Sequence, residues 1–186
     1  MLYLTAEGQL SENIKSISVK DSEEAPAEYA FKIVCTDCRE EHDSNVLINR
    51  FEKHEMPGSR GEASFLLKCK FCSKDCSVNM SQFERDWYNN EVESNEENLT
   101  KVSTHRKKNG LKNISKEIYI PLEFDCRNCE IIGFEPSSVV FEVELVSGSK
   151  LECQFDQGEN EWYDYDDDAG EEVSITDMKF DVSKGK

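Results

Sequence analysis

Cys35-Thr36-Asp37-Cys38 and Cys69-Lys70-Phe71-Cys72 are the residues whose types and spacing best suit chemistry. Two residues between cysteines let a tight turn aim both sulfurs at one ion. Two such turns supply the four thiolates that tetrahedral zinc prefers, at Zn–S distances of about 2.3 Å. The pairs are 30 residues apart, longer than in a compact ribbon, and the interval suits a β-hairpin carrying Val46, Leu47 and Ile48. The spacing therefore predicts one zinc ion per chain on Cys35, Cys38, Cys69 and Cys72. A site closed by four thiolates has no open position for water, so this zinc is expected to be structural rather than hydrolytic.

Other candidate ligands carry less weight. Cys72-x-x-x-Cys76 is a feasible ligand spacing, but the two Cys-x-x-Cys turns match each other in form, which leaves Cys76 as a free thiol in the following strand. His42 is read as an exposed histidine in an acidic loop. Downstream, Cys126, Cys129, Cys153 and Asp156 occupy places equivalent to the four proposed ligands. Replacing one sulfur by oxygen weakens a soft-ligand site, and a decayed copy with its cysteines buried is expected there.

Trp162-Tyr163-Asp164-Tyr165-Asp166-Asp167-Asp168 lacks the glycine and closing glutamate of an EF-hand loop. It is expected to be a solvated acidic turn with packed rings and carboxylates facing water. Arg60, between Gly58 and Gly61, is read as a turn residue whose guanidinium could pair with that segment. No metalloprotease, serine-hydrolase, phosphate-loop or dinucleotide motif is present, so enzymatic activity is not expected.

The elements that must position these residues are short strands. Phe31, Ile33 and Cys35 share one parity, as do Val139, Phe141, Val143 and Leu145, so each run buries one face. Helical periodicity is nowhere sustained, and a mainly β fold follows. FKIVCTDCRE resembles LEFDCRNCEI, and LKCKFC resembles LECQFD, in the same order. This predicts two related antiparallel β halves with a pseudo-two-fold relation, residues 1–88 and 117–186, with the zinc knuckles at strand ends in the first. Between them, residues 89–116 are poor in apolar side chains and are expected to form a disordered insertion, its Arg106, Lys107, Lys108, Lys112 and Lys116 solvated.

Charge narrows the partners. Twenty-two Lys and Arg against 39 Asp and Glu leave a formal charge of −17, which repels phosphate backbones and anionic lipid surfaces. A protein partner is expected in place of nucleic acid or membrane, and the chain is read as a monomer. No stretch approaches the roughly 18 apolar residues of a membrane span. Eight cysteines without a secretory signal point to a reducing, cytoplasmic setting.

The landmarks also resemble a known family, the eukaryotic CXXC-motif-containing zinc-binding proteins (DUF866 or UPF0587). They are Cys35/Cys38, Gly58-Ser59-Arg60-Gly61-Glu62-Ala63-Ser64 leading into Cys69-Lys70-Phe71-Cys72, Glu123-Phe124-Asp125-Cys126-Arg127 with Phe134-Glu135-Pro136, and Trp162 to Asp166. The resemblance implies a β-rich protein with zinc on the first four cysteines and no established enzymatic activity. Cys129, Cys153 and Asp156 depart from its pattern. The expected function is a zinc-stabilised scaffold for protein interaction; the alternative is metal handling or thiol redox chemistry through Cys76 or the second-half cysteines.

Overall fold

The computed structural model describes residues 1–185. In chain order the strands are β1 (Leu2–Leu10), β2 (Ile14–Val19), β3 (Tyr29–Cys35), β4 (Val46–Ile48), β5 (His54–Glu55), β6 (Glu62–Ala63), β7 (Phe65–Lys68), β8 (Asp75–Gln82) and β9 (Asp86–Tyr88). One helix, α1 (Glu96–Lys108), comes next. It is followed by β10 (Tyr119–Arg127), β11 (Cys129–Glu135), β12 (Phe141–Leu145), β13 (Lys150–Cys153), β14 (Trp162–Asp166) and β15 (Glu171–Lys184). The fold is mainly β, as the alternation predicts. In β12 the Phe141, Val143 and Leu145 side chains are buried and the intervening glutamates are half-exposed.

All pairings are antiparallel. The largest sheet has the order β14-β15-β1-β10-β8-β7, a second β13-β12-β2-β9, a third β11-β3-β4, and β5-β6 form a short hairpin. Each of the three larger sheets mixes strands from 1–88 with strands from 117–186, so these ranges are stretches of chain rather than separate packing units. The predicted pseudo-two-fold relation is not confirmed, since the strands that carry the matched sequences pair differently. The Leu67 strand forms a hairpin with β8 around its cysteine turn, whereas the Leu151 strand pairs with β12 and runs into a loop.

Sheet-to-sheet packing fixes where the cysteine turns lie. Phe31 on β3 meets Phe124 on β10 edge to face at 5.1 Å between ring centroids, and both are fully buried. Phe134 on β11 meets Phe180 on β15 at 5.2 Å. The three-stranded sheet thus lies against the six-stranded one with the Cys35 end of β3 close to the β7–β8 turn.

Residues 89–116 correct the expectation of disorder, since they hold a 3-10 turn and α1. The segment is anchored by buried polar contacts together with a small apolar cluster, and an apolar count overlooks the first. Arg106 donates to the Glu84 carboxylate through Nε at 2.6 Å and Nη2 at 3.1 Å, with both side chains about 5 % exposed. Its remaining donors reach the carbonyls of Ser115 and Ile118. Glu84 also accepts from the Ile120 amide at 2.9 Å. At the other end, Asn95 is buried and donates to the Lys15 and Asn89 carbonyls. Leu111 closes a small cluster with Tyr3 and Ile120.

A fully hydrogen-bonded buried pair loses most when one partner is removed, because the other charge is stranded. Glu84→Ala is expected to destabilise the protein by about 3–5 kcal/mol. Urea unfolding measures it; a change within error of wild type would show that α1 does not depend on this anchor.

Candidate metal centre

Each Cys-x-x-Cys pair sits where a strand ends and the chain must reverse. After Cys35 the Arg39 amide donates to the Cys35 carbonyl at 2.9 Å and the Cys35 amide to the Glu40 carbonyl at 3.1 Å. Between β7 and β8 the same two bonds recur, Ser73 to Cys69 at 2.8 Å and Cys69 to Lys74 at 2.9 Å. In both turns the residue after the second cysteine is left-handed, Arg39 and Ser73 each having φ of 64°. Two identical turns from separate sheets therefore face one another. An ion pair between Lys70 and Asp43 ties the second turn to the loop that follows the first.

The four sulfurs of Cys35, Cys38, Cys69 and Cys72 lie within 4.8 Å of one another. Cys35 and Cys72 are 3.7 Å apart, and so are Cys38 and Cys69. Four sulfurs at about 2.3 Å from a tetrahedral ion would be separated by about 3.8 Å. The arrangement is thus sized for a soft four-coordinate cation. Backbone amides prepare it electrostatically. The amides of Cys38 and Asp37 hold the Cys35 thiol down, to about 7. Those of Cys72 and Phe71 likewise lower Cys69. The Glu40 amide pulls Cys38 down, but burial and the neighbouring sulfurs outweigh it and push that thiol up to about 12. Cys72 is raised in the same way against the pull of the Lys74 amide. Four adjacent thiolates repel one another, so without a cation some sulfurs keep their protons.

The other predicted candidates lie outside the sulfur set. His42 is half-buried near Cys35 and Cys69 but outside the sulfur set, its Nδ1 3.2 Å from the Ser44 carbonyl. Cys153 is fully buried on β13 opposite Phe141, and burial pushes its thiol up to about 12. Among the described residues, no second set of three or more potential ligands converges, so Cys126, Cys129, Cys153 and Asp156 are not brought together. Val46–Ile48 forms β4 against β3, while the hairpin in the interval between the pairs is β5–β6. Arg60 is exposed near that hairpin's turn. The acidic segment lies on β14, at the opposite edge of the large sheet from β7.

That acidic segment also departs from expectation. Tyr163 and Tyr165 are 64 % and 47 % exposed, and Asp166 is buried. β14 is an edge strand whose alternation turns Trp162 and Asp166 inward and the tyrosines out. Asp166 accepts from the Ser147 hydroxyl and from the amides of Asp168 and Ala169, closing the turn to β15.

Sequence reasoning missed Asn128. It has φ of 61° between β10 and β11. Its carbonyl accepts from the Thr36 amide at 3.1 Å and from the Cys76 thiol at 3.3 Å, and its Nδ2 donates to the Asp75 carbonyl at 2.8 Å. The Cys126–Cys129 turn therefore braces both cysteine turns. The signal in the sequence is an asparagine between cysteines, a residue that tolerates left-handed backbone.

The family pattern described as CXXC motif containing zinc binding protein, eukaryotic, matches residues 1–183. A UPF0587 protein of Saccharomyces cerevisiae is 47% identical over 185 residues, covering 100% of this chain and 99% of that protein. The human CXXC motif containing zinc binding protein is 29% identical over 147 residues, 79% of this chain and 78% of that one. The crystal structure of C1orf123 superimposes with a TM-score of 0.71 at 22% identity, covering 98% of each chain, and a hypothetical protein from Plasmodium falciparum gives 0.71 at 21% with the same coverage. Those likenesses show that the fold is shared.

Asn128→Val forces a β-branched residue into left-handed backbone and removes the amide bond, and it is expected to destabilise by about 2–3 kcal/mol. Asn128→Gly keeps the conformation and is expected to lose about 1 kcal/mol or less. Equal denaturation midpoints for the two would show that the conformation of this turn carries no weight.

Proposed function

This chain belongs to the eukaryotic family of CXXC motif containing zinc binding proteins, and on that premise we propose that Cys35, Cys38, Cys69 and Cys72 hold one zinc ion in a structural centre. The sulfur separation of 3.7 Å within each of two pairs carries this reading, because it matches the edge of a zinc–thiolate tetrahedron. Bound there, zinc would supply the charge that keeps all four sulfurs ionised and a cross-link between β3 and the β7–β8 hairpin. The backbone amides at Asp37, Cys38, Phe71 and Cys72 orient the sulfurs and offset part of their charge. With four protein sulfurs in place, no coordination position remains for substrate, which argues against catalysis at the centre.

The rest of the molecule serves as a scaffold for protein interaction, in a reducing cytoplasm and as a monomer. The formal charge of −17 disfavours nucleic acid and anionic membrane, and among the described residues no helix is long and apolar enough to cross a membrane. The edge strand β14 presents two exposed tyrosines among Glu161, Asp164 and Glu172. Tyrosine beside carboxylates suits a protein partner with a basic segment.

Native mass spectrometry with elemental analysis tests the centre. One zinc per chain is expected, lost in Cys69→Ser with a lowered unfolding midpoint and kept in Cys126→Ser; two ions, or zinc retained in Cys69→Ser, would overturn the assignment. Cys38 and Cys72 sit above their ordinary range without metal, so binding must expel protons. Apparent affinity is therefore expected to rise with pH and to weaken at least about tenfold per unit of acidification, which a competing chelator at two pH values measures.

The interaction reading predicts that Tyr163→Ser with Tyr165→Ser leaves zinc content and melting temperature unchanged while weakening binding of a lysine-rich protein ligand. Binding equal to wild type would remove β14 as the docking edge.

A further inference from the structure

Three thiols stand beside the four-sulfur set without joining it. Cys76 on β8 is buried and donates to the Asn128 carbonyl, and burial pushes its thiol up to about 12, so it packs as an inert core residue. Cys129 is buried and donates to the Ser77 carbonyl at 3.4 Å. Cys126 is half-buried at the end of β10, across the left-handed Asn128 turn from Cys129 at the start of β11. Cys126 and Cys129 both line a cavity of about 280 Å³, together with Thr36, Asp125 and the Glu130–Lys184 ion pair.

We propose that Cys126 and Cys129 form a redox site at which a small neutral hydroperoxide closes an intramolecular disulfide, and that the turn between them transmits the change to the metal centre. The two carboxylates at the cavity and the net charge disfavour an anionic oxidant such as glutathione disulfide. The Cys126 sulfur, the more exposed of the two, attacks one peroxide oxygen. The O–O bond breaks, the second oxygen leaves with a proton as water or alcohol, and Cys126 becomes a sulfenic acid. The Cys129 sulfur then attacks the Cys126 sulfur. The S–S bond forms, the S–O bond breaks, and hydroxide leaves as water with the Cys129 proton. Each sulfur loses one electron and the peroxide gains two.

Two contacts carry the change onward. Cys129 is the register partner of Cys35 across β11 and β3. Asn128, inside the new ring, holds the Thr36 amide of the first cysteine turn and, through Asp75, the strand that leaves the second. A disulfide over Cys126–Cys129 refits the left-handed Asn128 and pulls on both. This second step rests on the zinc reading; disulfide formation itself does not.

The full chain, reduced and loaded with zinc, is treated with hydrogen peroxide and followed by intact mass, peptide mapping and a chromogenic zinc chelator. The mass is expected to fall by two hydrogens with a Cys126–Cys129 linked peptide that dithiothreitol reverses and that Cys126→Ser lacks. Zinc release is expected to be about fivefold or more faster in wild type than in Cys126→Ser. Oxidation of Cys35, Cys38, Cys69 or Cys72 while Cys126 and Cys129 stay reduced would overturn the redox site. A linked peptide with equal zinc release from both proteins would overturn the coupling. Zinc content before treatment is read separately, so failure of the zinc assignment leaves the mapping of the disulfide intact.

Discussion

Four sulfurs gathered within 4.8 Å impose two demands on the surrounding structure: their charge must be offset, and their turns must be held from outside. Neither turn holds itself in place. One hangs from the end of β3 in the three-stranded sheet and the other joins β7 to β8 at the edge of the six-stranded sheet. What brings the two together is Phe31 against Phe124, which packs the sheets, and the Asn128 turn, which hydrogen-bonds to the first turn and to the strand leaving the second. The apolar core therefore sets the distance between the pairs, and backbone amides set their charge. Zinc, as proposed, would complete an arrangement already shaped to receive it, which is how a chain of this size differs from a small finger that folds only around its metal.

The acidic composition has a structural counterpart. With 39 acidic side chains, most carboxylates remain in water, and the few that are buried serve as connectors. Glu84 fixes α1 through Arg106. Asp21, its side chain 1 % exposed, gathers Arg50, the Tyr29 hydroxyl and the Ala27 amide. Asp166 closes the β14–β15 turn. Each is matched by several donors, so it orders a loop where apolar side chains are too few to do so.

The sequence made the strands and the four convergent cysteines legible because both depend on local spacing: period two for the strands, two intervening residues for the turns. Phe31, Ile33 and Cys35 could be placed on one face for that reason. The partners of each strand were not legible. Pairing follows register and packing between distant residues, such as Leu2 with Lys184, which local spacing does not encode. The helix was missed because its attachment depends on one arginine and two asparagines, which composition counts as solvent-facing. Asn128 was missed because its role comes from two carbonyl contacts and one amide contact made across the chain.

The position of β1 has a consequence for how this chain is made. Both its neighbours in the sheet, β10 and β15, are made more than a hundred residues after it. Until then Leu2, Leu4 and Ala6, buried in the finished protein, have no sheet to enter, and both edges of the strand stay open to pairing with other chains. Closure of such long-range contacts is slow. Assembly of the central sheet is thus a late, concerted event, and until it occurs the nascent β1 is exposed to aggregation and to capture by chaperones.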